Sequence, residues 1–123
     1  MLDGDENTKA AERLAKLVEK NDYHIDCGML GTKYIFTVLS EYGYMDTLYK
    51  MVTNPIFPSY AYWILQGHTT LCESWDMNNS CNHHLFSEVD HWFYRYVGGI
   101  KYTKAGLVIH PLLLSAVDYI KAE

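Results

Sequence analysis

Positive charge is scarce in this 123-residue chain: 10 Lys and Arg stand against 15 Asp and Glu, a net charge of −5. No basic run is longer than two residues. Neutralising phosphates needs clustered Lys and Arg, so nucleic acid is excluded as a partner. Cysteine is also scarce. Cys27, Cys72 and Cys81 are an odd three with no C-x-x-C pair, a poor disulfide framework and a poor zinc knuckle. Three free, semi-buried thiols are expected, as in a reduced compartment. Long apolar runs are missing; the longest, near Leu112 to Leu114, is far too short to span a membrane. The stretch Met1-Leu2-Asp3-Gly4-Asp5-Glu6 is acidic where a secretory signal would be basic and then apolar. No signal peptide is expected there, and the compartment stays open.

What the chain does have is apolar material: 49% hydrophobic residues against 20% charged. That composition excludes disorder, and the length allows one domain at most. Aromatics make up 15%, with 11 Tyr, 4 Phe and 3 Trp. Helical spacing of Leu14, Leu17 and Val18 predicts a helix over about 7–20, capped by Asn7 or Thr8. A second is expected over about 32–42, with Thr32 as cap, Tyr34, Ile35, Val38 and Leu39 inward, and Gly43 as a left-handed stop. A third follows over about 45–52, antiparallel to the second. Pro55 and Pro58 open an irregular segment to about Asn82, and long loops in compact domains are usually functional. Ser87-Glu88-Val89-Asp90 reads as a weak capping box for a helix to about Val97, burying Val89, Trp92, Phe93, Tyr96 and Val97. Residues 106–110 and 116–120 read as short strands.

The irregular segment holds the candidate chemistry. Glu73 lies in TTLCESWD, between hydroxyls and an indole. It suits acid–base work on a polar substrate, or caps a nearby backbone amide. Trp63 and Trp75 suit a flat sugar face, or core packing. Cys81, His83, His84, Asp90 and His91 raise a metal reading, but no pair has zinc spacing. The expectation is therefore no metal and no cofactor, with one histidine in a pocket. His24 beside Asp26 is either a carboxylate–imidazole pair or a loop histidine bonded to backbone.

Four segments then carry a resemblance. HIDCGMLGTKYI (24–35), SEYGYMDTLYKMV (40–52), FPSYAYWILQGHTTLCESWD (57–76) and NHHLFSEVDHWFYRYVGGI (82–100) resemble, in order, the late helical hairpins of bacterial α-L-rhamnosidases. Cys72 stands where that family more usually has an aromatic, and His68 where it has a small residue.

The resemblance implies a mainly α fold: part of an (α/α)6 toroid, about two helical hairpins, followed by two β-strands of a C-terminal β-sandwich. Residues 1–104 would belong to the toroid and 105–123 to the sandwich. It implies hydrolysis of terminal α-L-rhamnosides with inversion, which takes one acid and one base on opposite sides of the sugar. Glu73 matches the general base, and His83 a histidine that contacts rhamnose. Trp63 and Trp75 would be pocket-wall residues. A full ring of twelve helices needs roughly 200 residues. This chain is therefore expected to be the last part of a toroid, needing the missing N-terminal part, with the general acid upstream and a rhamnose-containing glycoside or polysaccharide as substrate. The alternatives are another six-hairpin glycosidase, of the unsaturated uronyl hydrolase type, and a non-catalytic carbohydrate-binding helical module.

Overall fold

The computed structural model describes residues 4–121; residues 1–3, and 122–123 at the end of the 105–123 segment, lie outside them. The element order is α1 (Gly4–Lys20), α2 (Met29–Glu41), α3 (Met45–Val52), α4 (Tyr60–Leu65), α5 (Glu88–Trp92), then β1 (Ile100–Thr103) and β2 (Gly106–Ile109). The chain is thus mainly helical with one small sheet. Among the described residues no helix is long and apolar enough to cross a membrane.

Helix α2 is the centre of the packing, touching α1, α3 and α5. Its Phe36 and Leu39 are fully buried, with Ala15 of α1, Leu48 and Met51 of α3, and Trp92 of α5. The Trp92 indole N–H donates to Ser40 Oγ at 3.0 Å, so the one polar atom of this large side chain is satisfied inside the core. Gly43 (φ +85°) turns the chain between α2 and α3, in the left-handed region that glycine tolerates.

The caps differ from expectation. Thr32 lies one turn inside α2, where its hydroxyl donates to the Gly28 carbonyl at 3.0 Å; Gly28 is the residue before the helix. Ser87 precedes α5 in a helical conformation and makes no capping bond. A capping side chain reaches the first free N–H groups from extended backbone, so the capping box does not form. Ser59 is a cap that was not expected. Its backbone is extended, its hydroxyl accepts from Tyr62 N–H at 2.9 Å and donates to the Asn54 carbonyl, and it starts α4 inside the segment read as irregular.

After α5, Phe93–Val97 continues as a π-helical turn. The wider turn leaves Phe93 and Tyr94 exposed while Tyr96 and Val97 are buried, so Phe93 is not the core residue it was read as. Strands β1 and β2 form an antiparallel hairpin in the register Ile100↔Ile109 to Thr103↔Gly106. The first strand is therefore 100–103, and residues 116–120 form no strand. Gly99 (φ +68°) sits where a Cβ would meet the His110 carbonyl carbon at 2.1 Å; only glycine lets β2 close so near the end of the helix. The tail then returns to the helices, with Leu114 buried and Ser115 N–H donating to Asp46 at 2.8 Å.

Several apolar residues face outward. Leu17 is 61% exposed, Leu30 72%, Tyr34 64% and Ile64 70%. Leu17 belongs by spacing to the apolar face of α1, and Tyr34 to the face of α2 expected inward. Their spacing marks a face to be covered, but among the described residues nothing covers them. Apolar surface of this extent drives association. The 123-residue chain alone is expected to self-associate, with a sedimentation coefficient that rises with concentration; a concentration-independent monomer with a sharp two-state melt would contradict this.

Candidate functional site

A cleft of about 960 Å³ opens between α3, α4, α5 and the loops 68–71 and 82–84. Its wall includes Trp63, His68, Thr69, Thr70, Asn82 and His83. Thr53 at the end of α3 and the exposed Phe93 also border it. Sequence reading missed these two as cleft residues, since periodicity carries no information about which elements converge.

The loop around Glu73 is built by a short antiparallel pinch. His83 N–H donates to the Leu71 carbonyl at 2.9 Å, and Glu73 N–H to the Ser80 carbonyl at 2.8 Å. The Thr70 hydroxyl donates to the Cys81 carbonyl. Segment 70–73 is thereby tied to 80–83. The tip between them is held by its own side chains. Asp76 accepts from the Ser74 hydroxyl at 2.7 Å and from the Asn78 side chain at 2.9 Å. The bonds from Ser74 and then Asn78 hold the Asp76 carboxyl below its ordinary range. Within this frame the half-buried Glu73 carboxylate accepts from Ser80 N–H at 3.3 Å. Among the described residues it has no ion-pair partner. An ionised carboxylate has about four lone-pair sites, so one long bond leaves most of its acceptor capacity free. Glu73 itself does not border the cleft described above.

Trp63 and Trp75 meet face to face, 4.6 Å between ring centres and 24° between planes. Tyr60 packs edge-on against both, and Phe86 closes the cluster. Every polar atom is used. Trp63 N–H donates to the Trp75 carbonyl at 3.0 Å, and Trp75 N–H to the Cys27 carbonyl at 2.9 Å. The Tyr60 hydroxyl donates to the Phe86 carbonyl at 2.8 Å, and burial pushes its phenol far above the ordinary value. Trp63, 2% exposed, is both core and cleft wall; Trp75, half-buried, stacks on its face.

His83 and His84, adjacent in sequence, stack with their rings 5.1 Å apart and nearly parallel. Nδ1 of His83 accepts from Leu85 N–H at 3.2 Å. In the neutral ring the proton is then on Nε2, making it a hydrogen-bond donor. His91 bonds Glu88 at 2.7 Å on the outside of α5, which takes it away from the other histidines of the metal reading. His24 Nδ1 is buried without a hydrogen-bond partner, so neither the Asp26 pair nor a backbone bond forms at that nitrogen. Cys72 is fully buried; burial, and then the neighbouring Cys81 thiol, push its own thiol up to about 11. All three cysteines are free.

A family model described as the bacterial alpha-L-rhamnosidase 6 hairpin glycosidase domain matches residues 1–97. The chain belongs to that family. It is 36% identical over 116 residues to an alpha-L-rhamnosidase of Streptomyces avermitilis, a match covering 83% of this chain and 11% of the relative. It is 32% identical over 120 residues to one of Formosa agariphila, covering 89% of this chain and 13% of the relative. Among solved structures, the Streptomyces avermitilis alpha-L-rhamnosidase complexed with L-rhamnose superposes with a TM-score of 0.80 at 31% identity, over 89% of this chain and 12% of that one. The Aspergillus terreus alpha-L-rhamnosidase gives 0.75 at 29% identity, over 80% and 13%. The chain therefore spans about an eighth of the length of the rhamnosidases it matches. Its mainly helical part with a following hairpin is part of a six-hairpin domain and the start of a sheet region.

Proposed function

We propose that this segment supplies one side of the active site of an inverting α-L-rhamnosidase, acting on terminal α-L-rhamnose in glycosides or polysaccharides. What carries the reading is its superposition on a rhamnosidase complexed with L-rhamnose. Glu73 is the general base, which takes a proton from the attacking water. His83 donates from Nε2 to a sugar hydroxyl, and Trp63, backed by Trp75, forms an apolar wall of the cleft. The general acid lies elsewhere in the protein, with the two carboxyls about 6.5–9.5 Å apart to admit the water. The toroidal part ends near residue 104, and 105–123 begins the next domain. No cofactor takes part, and the 123 residues alone give no turnover.

Inversion is read directly from the product. Proton NMR of the full-length protein acting on an α-L-rhamnoside is expected to show β-rhamnose first, with the α anomer growing in only by mutarotation. Initial α-rhamnose would overturn the inverting mechanism. Turnover of unsaturated uronides in place of rhamnosides would replace the substrate class.

One observation favours a second reading, a non-catalytic sugar-binding module: the Glu73 carboxylate already accepts a backbone N–H at 3.3 Å. In that reading Glu73 is a loop cap, and rhamnose binds without hydrolysis.

A further inference from the structure

The pinch that ties 70–73 to 80–83 brings Cys72 beside Cys81. His68 enters the same region from the end of α4, where its N–H donates to the Trp63 carbonyl at 3.1 Å. One imidazole nitrogen of His68 and the two sulfurs thus lie within 4.8 Å of one another. Cys72 is fully buried, and His68 and Cys81 are half-buried. Of the residues that the sequence singled out for a metal, only Cys81 is among them; His83, His84, Asp90 and His91 are not. His68, Cys72 and Cys81 are 4 and 9 positions apart, and folding collects them.

We propose that His68, Cys72 and Cys81 bind a thiophilic divalent cation, Zn²⁺ being the chemically matched one, with water in the fourth position. Two thiolates and an imidazole are a donor set zinc takes, at about 2.3 Å for sulfur and 2.0–2.1 Å for nitrogen. Tetrahedral bonds of those lengths put the donors about 3.6–3.8 Å apart. Closing from 4.8 Å takes roughly 1 Å, within reach of side-chain torsion changes at the half-buried His68 and Cys81. The ion would cross-link the end of α4 to both strands of the pinch. It would thus fix the segment that carries Glu73 and His83, whether or not Glu73 is a catalytic base. Each thiol loses its proton to solvent on binding, and no redox change is involved.

The test uses the full-length protein, metal-free and kept reduced by a phosphine, titrated with Co²⁺ and then Zn²⁺. A thiolate-to-cobalt charge-transfer band should saturate at one Co²⁺ per chain and vanish when one equivalent of Zn²⁺ is added. His68→Ala should keep the band but weaken Co²⁺ binding by about tenfold or more. Cys81→Ser should remove most of the band, and Cys27→Ser should leave it unchanged. His68 and Cys81 are only half-buried, so these variants decide the matter even if Cys72→Ser fails to fold. The proposal is overturned by any of three results: a folded protein in which Cys72 and Cys81 react as free thiols and no band saturates, binding that both His68→Ala and Cys81→Ser leave at the parent level, or recovery of Cys72 and Cys81 as a disulfide under the same reducing conditions.

Discussion

Replacing Glu73 by Gln in the full-length protein is expected to lower kcat on an α-L-rhamnoside by several orders of magnitude, about 10²–10⁴-fold, the range general-base catalysis supplies. Gln has the same shape, and its amide oxygen still accepts the Ser80 N–H now bonded to the carboxylate at 3.3 Å. What it loses is the negative charge and the ability to take a proton. The loop should therefore keep its conformation, with the melting midpoint moving by no more than about 0.5 kcal/mol of stability, as for a surface substitution. KM should change little, since the water and not the sugar contacts the base. In the sugar-binding reading the parent itself shows no turnover; where the parent turns over, the variant tests whether Glu73 is its base. If Glu73 only caps the loop, Gln caps it as well and turnover stays within tenfold, which would remove the base assignment. Steady-state kinetics beside a thermal melt is the whole experiment.

Trp63→Ala is expected to cost about 3–5 kcal/mol, the range for removing a large buried aromatic. The residue is 2% exposed and stacks on Trp75 at 4.6 Å, with Tyr60 and Phe86 on its edges. Truncation leaves three rings around a void and the Trp75 carbonyl without its donor. Native proteins are stable by about 5–15 kcal/mol, so in the full-length protein the unfolding midpoint should fall well below the parent's. Trp63→Phe refills most of the volume and loses only the hydrogen bond, for about 1–3 kcal/mol. Denaturant melts of the two variants give the comparison. A Trp63→Ala protein as stable as the parent, with only rhamnose affinity reduced, would make the indole a sugar platform alone.

Local signals told most where the chain obeys a period. Helix α3 is Met45–Val52, as its apolar spacing indicates, and Gly43 takes the left-handed turn expected of it. Signals failed where a neighbour decides. Leu17 and Tyr34 have the spacing of core residues and are exposed, because periodicity identifies an apolar face and not the surface that meets it. GLVI (106–109) became a strand as its composition suggests, but AVDYI (116–120) did not. A strand needs a partner, and the partner of 106–109 is Ile100–Thr103, directly across a tight turn. Ser87 had a capping sequence but not the extended backbone that capping requires.

The amino-acid order by itself determined the family, through four motifs in register, and the helical class, through apolar spacing within single elements. It also marked the segment between Pro55 and Asn82 as the candidate functional one. Only the tertiary structure decided how that segment is arranged. Four bonds pair 70–73 with 80–83, the Trp63–Trp75 pair closes on Tyr60 and Phe86, and His68 comes to two thiols that no spacing rule connects to it. The reason is the range of the interactions. Helix spacing and turn chemistry act over a few residues and can be read along the chain. Backbone bonds spanning 7–12 positions and contacts across elements leave no periodic trace, and form only once the helices around them have packed.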